Sequence, residues 1–317
     1  MKNENGFTHY VLLLVLLLII GGVGVLTFTR VKNQDKTPPQ KSQKVGPAQN
    51  SKAASLEFEP GVRLQPSLFG VEAGLPVADV SAIKLDNGSW RIYAFAQKKG
   101  IVSATSKDGL EFTAEAGARL GDGAGMPRVM RLDDGRFRLY FIDGGGIGSA
   151  ISSDGLTFAK EAGKRILAPT GVKDISGIST PVKLKDGKWH VYFSDLPRPG
   201  EGVKPHYIYS ATSSDLMNWA LEDGYRIGGG KVATSGEHPD VRLADDGTLL
   251  LYYFINDTKK LVTSTSTDGL TFGDYKETGL DCNDPNLVKL DSKSYRIYCG
   301  DFDKEIGGFV KSAKLVL

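Results

Sequence analysis

Two cysteines in 317 residues are too few for a disulfide framework. Neither Cys282 nor Cys299 sits in a Cys-x-x-Cys pair or beside a histidine cluster, which argues against a zinc site. Net charge is also scarce: 39 Lys and Arg against 37 Asp and Glu leave +2, only a faint hint of an anionic partner. Residues 1–54 hold seven basic and two acidic groups, so the remainder holds 32 against 35 and is mildly acidic. The basic surplus therefore lies in the N-terminal segment, and no nucleic-acid partner is expected. Apolar residues at 40% exclude wholesale disorder, and the 39 glycines point to many turns.

Between Gly6 and Thr29 there is no Asp, Glu, Lys or Arg, and Tyr10 to Phe28 is almost continuously apolar. That length spans a hydrocarbon core of roughly 30 Å. After a flank at 1–9, residues 10–29 read as an uncleaved transmembrane helix, with a cleaved signal sequence as the alternative. No cysteine lies near the end of the run, so lipid attachment at a lipobox is not available. Arg30, Lys32 and Lys36 outnumber Lys2, which by the positive-inside rule would keep the rest in the cytoplasm. Residues 30–54 lack any aromatic residue and read as a disordered tether beside the anionic membrane surface.

Beyond the tether the chain repeats itself. A first motif runs Leu85-Asp-Asn-Gly88-Ser-Trp90-Arg-Ile-Tyr93, Leu132-Asp-Asp-Gly135-Arg-Phe137-Arg-Leu-Tyr140 and Leu184-Lys-Asp-Gly187-Lys-Trp189-His-Val-Tyr192. Looser copies run from Leu243 to Tyr252 and from Leu290 to Tyr298. Each joins a short apolar run to an alternating aromatic run through an Asp/Asn-Gly turn, the pattern of a two-stranded hairpin. A second motif, Ser-Ala-x-Ser-x-Asp-Gly-Leu-x-Phe, follows at 103–112 and 149–158, and in looser form at 210–219 and 263–272. It adds a third strand, a turn and a fourth strand. Four strands per unit predict an all-β, five-bladed propeller over 55–317.

The fifth unit ends without its fourth strand. Leu56-Glu-Phe58 with Gly61-Val-Arg63 matches Leu110-Glu-Phe112 with Gly117-Ala-Arg119, so the N-terminal strand is expected to complete the last blade. Asp108, Asp154, Asp215 and Asp268, like Arg63, Arg119, Arg165 and Arg226, recur between repeats and are expected to be structural.

This repeat pattern resembles the five-bladed propellers of the arabinanase, β-xylosidase, levansucrase and invertase type. A sialidase fits less well: Asp and Gly are adjacent in Asp154-Gly155, five blades are counted, and no three clustered arginines are found. Function is expected where blades differ at the channel entry, which singles out Asp79, Arg128, Glu237, His238, Asp240 and Asp284. The resemblance implies a general base at Asp79. The family's acidic positions on blades 2 and 3 hold Arg128 and Ser179-Thr180 instead, which shifts the acid to Glu237, or to Asp284 or Asp174. An inverting glycosidase with Asp79 and Glu237 as catalytic pair is one reading. Sugar binding or strand capping by the same residues is the other.

Arg128, His238, Asp240 and Asp284 are the expected substrate-binding groups. The bidentate guanidinium of Arg128 suits a carboxylated sugar, or else neutralises Asp79 and Asp284. No metal ligand set is assigned, although His238 could hold a channel cation such as calcium, as a histidine does in related propellers. Cys282 and Cys299 flank the fifth hairpin turn and are either disulfide-bonded or two buried thiols. Against the orientation read from flanking charge, the resemblance argues for the outside, and the expectation is a monomeric, membrane-tethered, extracytoplasmic propeller, glycoside-hydrolase-like in acting on or binding a glycan in its central channel. A non-catalytic carbohydrate- or protein-binding propeller is the alternative.

Overall fold

The computed structural model describes residues 55–121, 123–172, 174–196, 206–255 and 258–316. The expected flank, membrane helix and tether lie outside the described residues. Five antiparallel sheets follow one another along the chain. Blade 1 is Val77–Lys84, Trp90–Ala96, Gly100–Ser106 and Thr113–Ala114. Blade 2 begins at Gly125–Arg131, blade 3 at Asp174–Ile178, blade 4 at Glu237–Leu243 and blade 5 at Asn283–Lys289. The five-bladed propeller read from the repeats is the fold observed.

The first motif forms the hairpin of each blade's two inner strands. In blade 1 Leu85 N–H donates to the Ser89 carbonyl at 2.8 Å, and Gly88, at φ 83°, turns the chain in a region that favours glycine. The second motif forms the turn after the third strand. Ser106 Oγ accepts from Gly109 N–H at 2.9 Å, and Asp108 Oδ1 accepts from Leu110 and Glu111. Those backbone donors hold the Asp108 carboxyl down at about 2. The same turn recurs at Asp154, Asp215 and Asp268, in keeping with a structural role.

The two motifs meet between blades. Tyr93 of blade 1 donates its hydroxyl to the Gly155 carbonyl in the turn of blade 2 at 2.7 Å. Tyr140, Tyr192 and Tyr298 repeat the bond to Leu216, Gly269 and Gly109. Each of these phenols is thus buried with its polar end satisfied, and blades 1, 2, 3 and 5 are each pinned to the next blade round the ring.

The ring closes as its sequence implies. Ser55–Leu64 pairs antiparallel with Gly307–Val316, placing Phe58 opposite Ala313. Arg296 of blade 5 binds Glu59 of this strand through both Nε and Nη2, at 2.7 and 2.8 Å.

Candidate functional site

The innermost strands carry the site because each is interrupted. Pairing slips by one residue between Ala78 and Ser81, Gly125 and Arg128, Glu237 and Asp240, and Asn283 and Asn286. At these bulges Asp79, Met126, His238 and Asp284 adopt φ of 55°, 50°, 48° and 51°. Left-handed backbone costs a non-glycine residue of order 1–3 kcal/mol, and it re-aims the side chain out of the sheet's normal alternation. Blade 3 differs: its slip falls between Ile175 and Gly177, and no residue there has positive φ.

Three of the re-aimed side chains converge. Asp79, His238 and Asp284 each place one donor atom within 4.8 Å of the others. His238 Nδ1 touches Asp284 Oδ1, and the His238 amide donates to Ser194 Oγ at 3.0 Å. Gly177 makes room, since a Cβ there would lie 2.8 Å from the His238 Cα. Burial pushes His238 down to about 3, with the charges of Arg128 and His206 adding to it, so the imidazole is neutral at pH 7. Burial lifts Asp79 to about 6 despite the opposing pull of Arg128. A carboxyl tuned in this way holds its proton in mildly acidic solution and serves as a base only above that value.

Glu237 sits one residue before the His238 bulge, and its Oε1 lies 3.3 Å from His206 Nε2. His206 Nδ1 is 2.9 Å from the Asp195 carbonyl oxygen, which can only accept, so Nδ1 carries a proton. Glu237, His238 and Asp284 line a cleft of about 410 Å³, together with Phe254, Asp281 and Asp301. The cleft is thus lined from blades 4 and 5.

Arg128 and Asp240 are placed differently from the expected ligand contacts. Arg128 is 3% exposed and spends its guanidinium on the Val80, Pro127 and Pro285 carbonyls, tying blades 1, 2 and 5 together. Asp240 is fully buried, accepting from Thr180 N–H through one oxygen and from Leu287 N–H and Asn286 Nδ2 through the other. Asn286 in turn accepts from Ala82 N–H, and Ser81 Oγ from Val129 N–H. The position that pairs with each hairpin's tyrosine is thus an inter-blade clasp in blades 4, 5 and 1. Neither Arg128 nor Asp240 lines the cleft.

Cys282 and Cys299 are disulfide-bonded, with Cα atoms 5.6 Å apart, and Cys282 lines the cleft two residues before Asp284. His206, Gly177 and Ser194 carry no signal in the repeat pattern. They stand on blade 3, where the repeat places the entry at Ser179-Thr180-Pro181, and only the scarcity of histidine, four in the chain, marks His206.

No protein-family model and no curated protein matches the chain. Solved structures do. A family 117 glycoside hydrolase, Zg3597 from Zobellia galactanivorans, superposes with TM-score 0.62 at 13% identity, over 83% of this chain and 90% of its own. A thermostable family-43 glycoside hydrolase gives 0.59 at 14% identity, over 77% and 89%. The GH43_1 enzyme from Xanthomonas citri gives 0.56 at 16% identity, over 76% and 88%. At such identities the likeness is one of fold, and the resemblance read from the repeats holds at that level.

Proposed function

We propose that this propeller acts on a glycan held in the cleft between blades 4 and 5, as a glycosidase whose carboxyl pair is Asp79 and Glu237. The observation that carries the reading is that His238 and Asp284, on strained bulges, line one cleft with Glu237, while Asp79, on a third such bulge, lies buried within 4.8 Å of both, since strain of this kind gathers at functional sites. Glycoside hydrolysis requires one protonated carboxyl that donates to the leaving group and one ionised carboxylate that acts as base. Asp79, lifted to about 6, is ionised for the base role above that value, and Glu237 takes the acid role. The shared fold with glycoside hydrolases supports the same class. Release of reducing sugar from a panel of plant and bacterial glycans tests it: wild type is active, while Asp79→Asn and Glu237→Gln are not. Equal activity in all three would discard the pair.

The converging donors favour a second reading, a non-catalytic glycan-binding propeller that uses a divalent cation. One neutral imidazole nitrogen and two carboxylate oxygens suit such an ion, and the nitrogen favours zinc or manganese over calcium. Asp79, His238 and Asp284 would hold it, and the ion would supply a Lewis acid for sugar hydroxyls. Glycan binding that survives in the hydrolysis-null Glu237→Gln variant but is lost with a chelator and in Asp79→Asn distinguishes this reading.

The disulfide supports an oxidising, extracytoplasmic compartment, and the same reading takes residues 10–29 as membrane anchor, residues 30–54 as tether and the propeller as a monomer. Labelling of the intact cell surface against the propeller tests that placement.

A further inference from the structure

Blade 3 departs from its neighbours in its third strand as well as its first. Ile208 N–H bonds the Ile227 carbonyl as Ile101 N–H bonds that of Leu120, and Arg226, Arg119 and Arg165 donate back to Ile208, Ile101 and Ile147. These bonds align the blades residue for residue. The positions flanking the aligned isoleucine are Gly100 and Val102 in blade 1 and Gly146 and Gly148 in blade 2, but Tyr207 and Tyr209 in blade 3. The position before the aligned arginine is Ala118 or Lys164 elsewhere and Tyr225 here. Blades 1 and 2 form with small residues or lysine at these places, so the fold itself does not demand three tyrosines.

The tyrosines form one ladder. Tyr209 stacks on buried Phe193 with ring centroids 5.8 Å apart; Tyr207 lies 6.3 Å from Tyr209 and 4.5 Å from Tyr225. All three are half-buried, each keeping surface toward solvent. They stand on the face where the cleft opens. The cleft is lined from the starts of innermost strands and the ends of second strands, through Glu237, Asp284, Phe254 and Asp301. Tyr207 precedes the third strand of its blade, Ile208–Ser213, and so lies at that same end. It also follows His206, whose ring touches Glu237.

We infer that Tyr207, Tyr209 and Tyr225 are an aromatic subsite for the glycan, stacking sugar rings that extend from the cleft over Glu237 toward blade 3. This rests on the glycan reading and extends it to an oligosaccharide of several units. Tyrosine suits the task because its ring offers a rigid apolar face and its hydroxyl a polar edge. The subsite recognises ring faces, so it takes neutral sugars and needs no charged group.

The test is calorimetric titration of the propeller with xylo-, arabino-, galacto- and manno-oligosaccharides, from monosaccharide to hexasaccharide. Tyr207→Ala and Tyr225→Ala are each expected to weaken the longest bound ligand about tenfold, the size of one aromatic contact. The shortest bound ligand is unaffected, and Tyr207→Phe behaves as wild type. Tyr209 is left in place because it packs on the core, and thermal melts confirm that the variants fold. Wild-type binding with no loss in either alanine variant at any length overturns the subsite alone. Failure of wild type to bind any member of the panel overturns the glycan reading and the subsite with it.

Discussion

Glu59 and Arg296, 237 residues apart in sequence, form a two-pronged ion pair that locks the first strand of the propeller onto its last blade. Burial raises the Glu59 carboxyl, but hydrogen bonds from Arg296 and Ser312 and the charges of Arg296 and Arg63 outweigh it, leaving the group below its ordinary value. A depressed carboxyl stabilises the fold above its unfolded pKa of 4.5 and loses that contribution as pH falls through its folded value. Glu59→Gln is therefore expected to cost about 1 to 3 kcal/mol at pH 7 and progressively less in more acidic solution. Urea unfolding at both conditions measures it, and a cost that grows on acidification would contradict the account.

Asp79 has the opposite sign. Its folded value of about 6 exceeds the unfolded 3.8, so between those values the folded chain holds a proton that the unfolded chain has lost. Stability falls as pH rises through this window, and above it the ionised carboxyl costs up to about 3 kcal/mol. Asp79→Asn in chelator-treated protein should match wild type near the lower end of the window and exceed it in stability at pH 8. A variant less stable than wild type at pH 8 would show that the charge is compensated.

Gly177→Ala tests the meeting of blades 3 and 4. The new methyl would press on the His238 backbone at 2.8 Å, so the bulge must move. The variant should fold with lowered stability and lose glycan release or cation binding, whichever the wild type has, and unchanged ligand titrations would show that the bulge tolerates displacement.

The Cys282–Cys299 bond closes a loop of sequence separation 17 next to the Asp284 bulge. Loop-closure entropy puts its contribution at about 3 kcal/mol. The double Cys→Ser variant should lose about that much in chemical denaturation, and reduction of wild type should reproduce the loss.

The blades were legible because each hairpin repeats a turn and a tyrosine with separate local signatures. The structure adds why the two motifs alternate: the phenol of one unit needs the turn of the next, and blade 5, whose outer strand comes from the N-terminus, supplies no such turn to blade 4. The site was legible only in part. Asp79, His238 and Asp284 stood out as entry residues, and they do come together. Arg128 and Asp240 occupy the same short segments, but lie two residues further on, past the bulge, where a polar side chain meets a neighbour's backbone. Composition does not separate these two orientations; the one-residue slip in pairing does. His206 and Glu237 meet across 31 positions of chain, and nothing local in the sequence brings them together.

Arg128 reaches the carbonyls of Val80, Pro127 and Pro285 with one buried guanidinium, so a single side chain joins blades 1, 2 and 5. Its removal would leave carbonyls on three separate sheets without their donor at once. The loss would fall on the joints between sheets rather than within any one of them.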